Sequence, residues 1–441
     1  MNVPRRHFLK SSAGAGVAFT AFPFINTAAE PGRTFRTALI GSGWWGKNIL
    51  KEAMEARRSK VVALCDVDAT TLENAAEQVK DLSGDQPKTY KDYRELLEKE
   101  KPEIVIIGTP DHWHALPAIA ALKAGAHVYL EKPTAHTVNE SKALLRVARE
   151  TGRVLQVGLH RRIGPHHASA MKFLREEKAG KVGMVRLFAH GGGGRETPKP
   201  NSEPPDGLDW NFWCGPAPLR PFNSKIHPGG FRNFLDYANG TLGDWGVHWL
   251  DQVLWWSGEN YPKRVFCTGG RPISGPAILN DREQTSDAPD HQVAVFEFEN
   301  FTCTWEHRKF ADNRAEKHKI GAYFYGTKGT LHIGWRDGWT FHPANDRDPV
   351  LHEDSQLQEP DGHNIKLLWA DFLNAIDAKR PPVSHIEAAH RSSTIPLLGM
   401  ISWRLGRSLA WDGAREEFTG DPEANKLLGR TYRSPWEYPA V

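Results

Sequence analysis

Residues 35–66 read FRTALI-GSGWWG-KNILKEAMEARR-SKVVALCD, and this stretch decides the fold. An apolar run, a glycine turn, a segment with helical spacing and a second apolar run ending in an acid make one β-α-β unit. The three glycines do different things. Gly41 allows the tight turn, Gly43 a close approach of backbone to a pyrophosphate, and Gly46 close packing of helix on strand. The start of the helix stabilises phosphate charge. Asp66 closes the second run, where a carboxylate accepts hydrogen bonds from adenosine ribose hydroxyls and repels a 2′-phosphate, so NAD is expected rather than NADP.

The alternation continues outward. TTLENAAEQVKDL reads as helix, EIVIIG (103–108) as strand, WHALPAIAALKAG as helix, HVYLEKP (127–133) as strand, TVNESKALLRVARETG as helix and RVLQVG (153–158) as strand. This order predicts an α/β Rossmann domain, a doubly wound parallel sheet covered on both faces, over residues 35–160. Ligand then sits beyond the carboxyl ends of the strands. Gly108-Thr109-Pro110, Glu131-Lys132-Pro133 and Gly158-Leu159-His160 all fall there and should meet around a nicotinamide. Pro133 biases Lys132 toward an extended backbone, which projects the ammonium in a fixed direction.

The run TPDHWHALPAIAALKAGAHVYLEKP (109–133) resembles the signature of the Gfo/Idh/MocA family, the glucose-fructose oxidoreductase and inositol dehydrogenase type. QVGLHRR, GKVG, a D-x-G-x-H-x-x-D run and YGTKGTL follow in that family's order, so the likeness covers about residues 35 to 436. It implies NAD as cofactor and a sugar, glycoside or polyol as the partner in hydride transfer. Gly41, Gly43, Trp44, Trp45, Gly46 and Asp66 match the family's cofactor turn and ribose acid, with Thr109 and Pro110 beside them. Asp111, His112, Trp113 and His114 match the segment passing the nicotinamide. Glu131 and Lys132 match the ribose-binding and catalytic pair. Asp111 and His160 stand where the family often has asparagine. Arg161, in QVGLHRR, is assigned with Lys132 to the substrate.

The second half predicts an α+β domain (161–360) with a large, mostly antiparallel open sheet, followed by helices (361–441) that in this family pack back on the first domain. GGGGRETPKPNSEPPDG (191–207) reads as a surface loop or lid. In TLGDWGVHWLDQVLWWSG (241–258), Asp244, His248 and Asp251 sit at i, i+4 and i+7, which a regular helix stacks on one face. The run resembles the family's motif in which the histidine is the acid/base for the reacting hydroxyl, with the first aspartate beside it. Asp244 would orient the imidazole, stabilise imidazolium or bind a neighbouring hydroxyl. Trp210, Trp213, Trp245 and Trp249 are candidate platforms for sugar C–H faces. Ser384-x-x-Glu387 reads as a capping box opening the last long helix.

Other features bound the answer. At 441 residues two domains are expected, and 39% hydrophobic with 25% charged residues is an ordinary globular composition. A net charge of +3 gives no electrostatic reason for a nucleic-acid or anionic-membrane partner. Arg5-Arg6, a weakly apolar stretch to Ile25 and the small residues Thr27-Ala28-Ala29 resemble a twin-arginine export signal over 1–29, with no cysteine after it for a lipid anchor. The four cysteines form no C-x-x-C pair. An oxidising compartment would permit Cys267–Cys303, although buried free thiols are the simpler reading. His112, His114, His160, His166, His167 and His227 lack the spacing of a metal site, so no metal is expected.

Export into the periplasm sets a further expectation. Soluble NAD is not supplied there, so the cofactor should be held tightly and restored in each cycle. The net reaction then couples two sugars or is redox-neutral on one, as in NAD-dependent glycosidases on this fold that act through a transient keto-sugar. Those glycosidases carry H-G-x-G-P where this chain has D-x-G-x-H-x-x-D. A non-catalytic sugar-binding protein would show a degraded glycine turn or a missing lysine, and this chain shows neither. A homo-oligomer is implied by the family's use of the open sheet.

Overall fold

Strands β1 (Phe35–Ile40), β2 (Ser59–Cys65), β3 (Lys88–Tyr90), β4 (Ile104–Ile107), β5 (His127–Leu130) and β6 (Leu155–Val157) form one parallel sheet in the order β3-β2-β1-β4-β5-β6. The structure, a computed structural model, describes residues 32–313, 315–356 and 360–440, so the signal expected over 1–29 lies outside the described residues. All four residues of β4 are fully buried, as a parallel strand covered on both faces requires. On one face pack the helices Ala115–Lys123 and Val138–Thr151. On the other, Trp44–Glu55 and Ala69–Ser83 are joined by Pro360–Ala378, whose Leu368, Trp369 and Phe372 enter the same core as Ile106 and Tyr129. The chain's last third thus completes its first layer of helices.

A second sheet of ten strands spans Val182–His190 to Glu417–Phe418 and is mostly antiparallel, the pairing of Val182–His190 with Thr302–Arg308 being parallel. Thr302–Arg308 alternates buried and half-buried residues, the mark of a sheet with one face on the core. That core is shared with helices Pro165–Arg175, Val247–Ser257 and Ile386–Leu405. Met184, Phe266 and Val293 remain exposed on strands of this sheet. Cys267 and Cys303 are both buried and free; strand His291–Glu297 lies between theirs, and no disulfide joins them. No helix among the described residues is long and apolar enough to cross a membrane.

The capping box forms elsewhere than expected. Thr137 and Glu140 exchange both bonds at the start of Val138–Thr151. Ser384 instead lies beside β6, where its carbonyl accepts from the Val157 N–H, and Glu387 pairs with Arg149. Ser384 sits one residue before the N-cap, His385, so its hydroxyl is out of register.

Candidate active site

β1 delivers the chain into the turn at Gly41, whose φ of +88° an L side chain rarely adopts. A Cβ on Gly46 would lie 2.1 Å from the Gly41 carbonyl oxygen, so helix Trp44–Glu55 can start against the strand only with glycine there. No acidic residue occupies the first turn of that helix, leaving its N–H groups for an anion. Asp66 follows β2 and accepts from the Ser42 N–H (2.7 Å) and the Asp68 N–H (3.1 Å). Burial raises its carboxyl to about 6 against these backbone bonds, which lower it. Trp44 is exposed at the start of the helix and Trp45 is tucked toward His160.

The three predicted loops converge on one cavity of about 490 Å³, which Gly41, Gly43, Asp66, Lys132, Asp244 and His248 all line. Thr109 and Glu131 both line the cavity, and the Trp45 indole N–H lies beside the Glu131 carboxyl and favours its charged form. Burial raises the carboxyls of Asp111 and Glu131 to about 7, the Lys132 ammonium pulling each back down. His114 places its ring nitrogens 2.5 Å from the Pro133 carbonyl oxygen and 2.9 Å from that of Thr109; the single N–H of the neutral ring donates to one of them, and the ring is wedged between the two loops. His160 is buried, with Nδ1 3.3 Å from the Gly158 carbonyl oxygen and its ring edge-on to His248 at 5.3 Å. These features fit a dinucleotide: a bare turn for phosphates, a buried carboxylate at the end of β2, and polar side chains lining the cavity farther in.

At the far end the Lys132 ammonium is held from across the cleft, donating to the Asp244 carboxylate (2.5 Å) and carbonyl (3.1 Å). Asp244 lies on a wide π-helical turn, Leu242–Gly246, which passes into helix Val247–Ser257 carrying His248. The turn alters the placement of Asp244 relative to His248 from that of a regular helix. Asp251, three residues beyond His248 in the regular helix, does not line the cavity. It is buried on Arg162 (2.8 Å) and Ser392 (2.6 Å), a structural ion pair. Asp251→Ala would leave the Arg162 guanidinium buried alone and should cost about 3–5 kcal/mol of folding stability. A denaturant melt showing less than about 1 kcal/mol would contradict that assignment.

The His248 imidazole is buried, its Nδ1 has no partner among the described residues, and burial first, then the Lys132 charge, hold its pKa well below the ordinary value. Its environment therefore favours the uncharged form of the ring. Asp244 is held low, because the Lys132 and Arg232 charges outweigh its burial.

Two residues assigned to substrate from sequence lie behind the wall instead. Arg161 is buried, its guanidinium 3.5 Å over the Trp335 ring, donating to the Trp335 carbonyl (3.1 Å) and to Asp361. Trp210 is buried in a stack with Trp213 (4.6 Å, 11°) and gives its indole N–H to the Arg220 carbonyl, while Trp213 reaches the cavity. Trp249 is wholly buried and Trp245 lines the cavity. Sequence reasoning missed Trp335 and Arg232. Trp335, on the turn after strand Gly329–Gly334, packs edgewise on Trp245 and His248, each at 5.1 Å, and lines the cavity. Arg232 lies 3.7 Å from the Asp244 carboxylate. Neither sits in a motif. Among the described residues His190, Glu306 and Glu316 could hold a metal ion, but Arg186 and Arg308 already pair with these carboxylates.

A glycine turn, a buried carboxylate after β2 and a lysine from the first domain, with an aspartate and a histidine of the second domain facing them across the cleft, define a two-domain dinucleotide-binding protein. Residues 35–159 match the oxidoreductase family with an NAD-binding Rossmann fold, and residues 187–267 and 286–438 match its C-terminal α/β domain. The chain belongs to the Gfo/Idh/MocA oxidoreductase family. It is 28% identical over 240 residues to a glycosyl hydrolase family 109 protein of Parabacteroides distasonis, covering 50% of each chain. The chain spans between about a third and a half of the length of the curated relatives it matches. Its fold is that of a levoglucosan dehydrogenase solved with NADH and levoglucosan (TM-score 0.65, 22% identity, 86% of this chain and 99% of that one). It is also that of an aldose-aldose oxidoreductase from Caulobacter crescentus complexed with glycerol (TM-score 0.64, 19% identity, 86% and 100%).

Proposed function

We propose that this chain is an exported NAD-dependent oxidoreductase that moves hydride between a hydroxyl-bearing carbon of a sugar, glycoside or polyol and a tightly held nicotinamide. The observation that carries this reading is the Lys132–Asp244 bond beside His248, in the cavity that Gly41 and Asp66 also line. The turn at Gly41–Gly46 receives the pyrophosphate, Asp66 the adenosine ribose and Glu131, which lines the cavity farther in, a ribose hydroxyl. When bound, the nicotinamide supplies the hydride acceptor. His248 takes the hydroxyl proton as the carbon gives up its hydride, leaving a carbonyl, and returns the proton in the reverse direction. Lys132, fixed by Asp244, donates to the same oxygen and stabilises its developing charge.

Denatured protein analysed by mass spectrometry should release about one NAD per chain, and addition of the right sugar to the folded protein should raise absorbance of reduced nicotinamide. A protein that binds no nicotinamide would defeat the proposal. Asp66→Ala should weaken NAD binding about 10–100-fold and lessen the discrimination against NADP, since charge-assisted bonds of about 1.5–3 kcal/mol are lost. An unchanged NAD affinity by fluorescence titration would remove Asp66 from the site.

The relatives named for glycoside hydrolysis support a second reading on the same residues, hydrolysis through a transient keto-sugar with the hydride returned. Release of aglycone without net reduction separates it from the first. Arg5 and Arg6 support export, and cell fractionation of Arg5→Lys, Arg6→Lys protein reads it, retention in the cytoplasm being the expected result. Exposed Met184, Phe266 and Val293 support a homo-oligomer through the large sheet, and a monomer by light scattering would refute it.

A further inference from the structure

We propose that the segment Gly207–Cys214 of the second domain is part of the cofactor site and acts as a strap that keeps the dinucleotide from leaving. This rests on the oxidoreductase reading and explains how a cofactor stays resident. The loop after Asp66 is where an adenosine ribose ends, and the strap is bonded to that loop edge to edge. Asp68 and Leu208 form an antiparallel bridge. The Asp209 N–H donates to the Val67 carbonyl (2.9 Å) and the Ala69 N–H to the Gly207 carbonyl (3.1 Å). Asp209 pairs with Lys91 and also caps the short helix Trp210–Cys214 through the Phe212 N–H (2.9 Å).

Both sides of this junction face the same cavity as Asp66: Val67, Lys91, Tyr93 and Trp113 from the first domain, Phe212 and Trp213 from the strap. The far end of the strap is fixed as well, the Trp213 carbonyl accepting from the Trp113 indole N–H at 2.8 Å.

The carboxyl-terminal tail locks the strap from behind. Arg433 donates to the Asn211 carbonyl and side chain, both at 2.7 Å, and to the Ala217 carbonyl at 3.2 Å. Trp436 closes an aromatic trio with Trp113 (4.7 Å) and Phe212 (5.3 Å). Arg94, on the first domain, lies 5.0 Å over the Trp436 ring. Three parts of the chain, distant in sequence, therefore meet over one end of the cavity. A dinucleotide leaving by that end must wait for the backbone bridge to part, so the opening of the strap sets its dissociation rate.

Neither Arg433 nor Trp436 lines the cavity, so their substitution tests the lock without touching the ligand. Protein loaded with NADH is chased with excess NAD, and the loss of protein-enhanced nicotinamide fluorescence is followed. Wild type should hold NADH through gel filtration. Arg433→Ala should release it about tenfold faster or more, as the lost hydrogen bonds imply, while the variant remains folded and still binds NADH. Trp436→Ala is a second, independent lesion with the same expected result, and it decides the matter should Arg433→Ala fail to fold. Wild-type protein that binds NADH but exchanges it within seconds, or folded variants that release it at the wild-type rate, would overturn the strap while leaving the oxidoreductase reading intact. Failure to bind NADH at all would overturn both.

Discussion

His248→Ala should lower kcat for sugar oxidation by about 10²–10⁴, the range in which a positioned acid/base acts, while NADH remains bound. The pH profile adds a sharper expectation. A base works when deprotonated, and burial together with the Lys132 charge holds this imidazole well below its ordinary 6.5. Its acid form accumulates only at lower pH, so the acid limb of kcat should fall below the usual histidine range rather than through it. A limb centred on 6.5 that vanishes in His248→Ala would show that the ring titrates as if exposed. Full activity in the variant would take His248 out of the chemistry.

The second large effect is expected from Lys132→Met, which keeps the stem and removes the charge. Without the ammonium, Asp244 loses its 2.5 Å partner and retains Arg232 at 3.7 Å. Loss of one preorganised donor to a developing oxyanion costs about 10²–10³ in kcat. Because Lys132 also depresses the His248 pKa, its removal should move the acid limb toward the ordinary histidine value. A double variant Lys132→Met, His248→Ala that loses little beyond either single one would show that they act as a unit. Simple multiplication of the two losses would refute a shared role.

The first half of the fold was legible in sequence because its signals are local: glycine spacing, apolar runs of strand length and an acid at the end of β2. The three loops could be expected to meet because a parallel sheet places its carboxyl ends on one side. The reading weakened where geometry depends on distant packing. Helical spacing puts Asp251 near His248, but its role is decided by Arg162 and Ser392, partners from distant parts of the chain that spacing does not reveal. Arg161 adjoins His160, yet its long side chain turns beneath Trp335 to reach Asp361, a partner 200 positions away. Trp210 and Trp213 share one short helix, and only their stacking decides that Trp213 faces the cavity. Ser384 and Glu387 satisfy a capping pattern that Thr137 and Glu140 satisfy in fact. Helix Pro360–Ala378 offers an apolar stripe, and nothing local says that the stripe belongs to the first sheet.

Trp335 rides on a turn between two strands of the large sheet, with Arg161 as its backing and no covalent neighbour among the catalytic groups. One hairpin tip thus supplies a wall of the cavity and packs on the His248 ring, so a change of side chain at 335 is felt at His248 as well as in the shape of the cavity. The tip has little freedom beyond Trp335 itself, because Gly338 has a φ of +67° and a Cβ there would lie 1.9 Å from the Glu353 carbonyl oxygen.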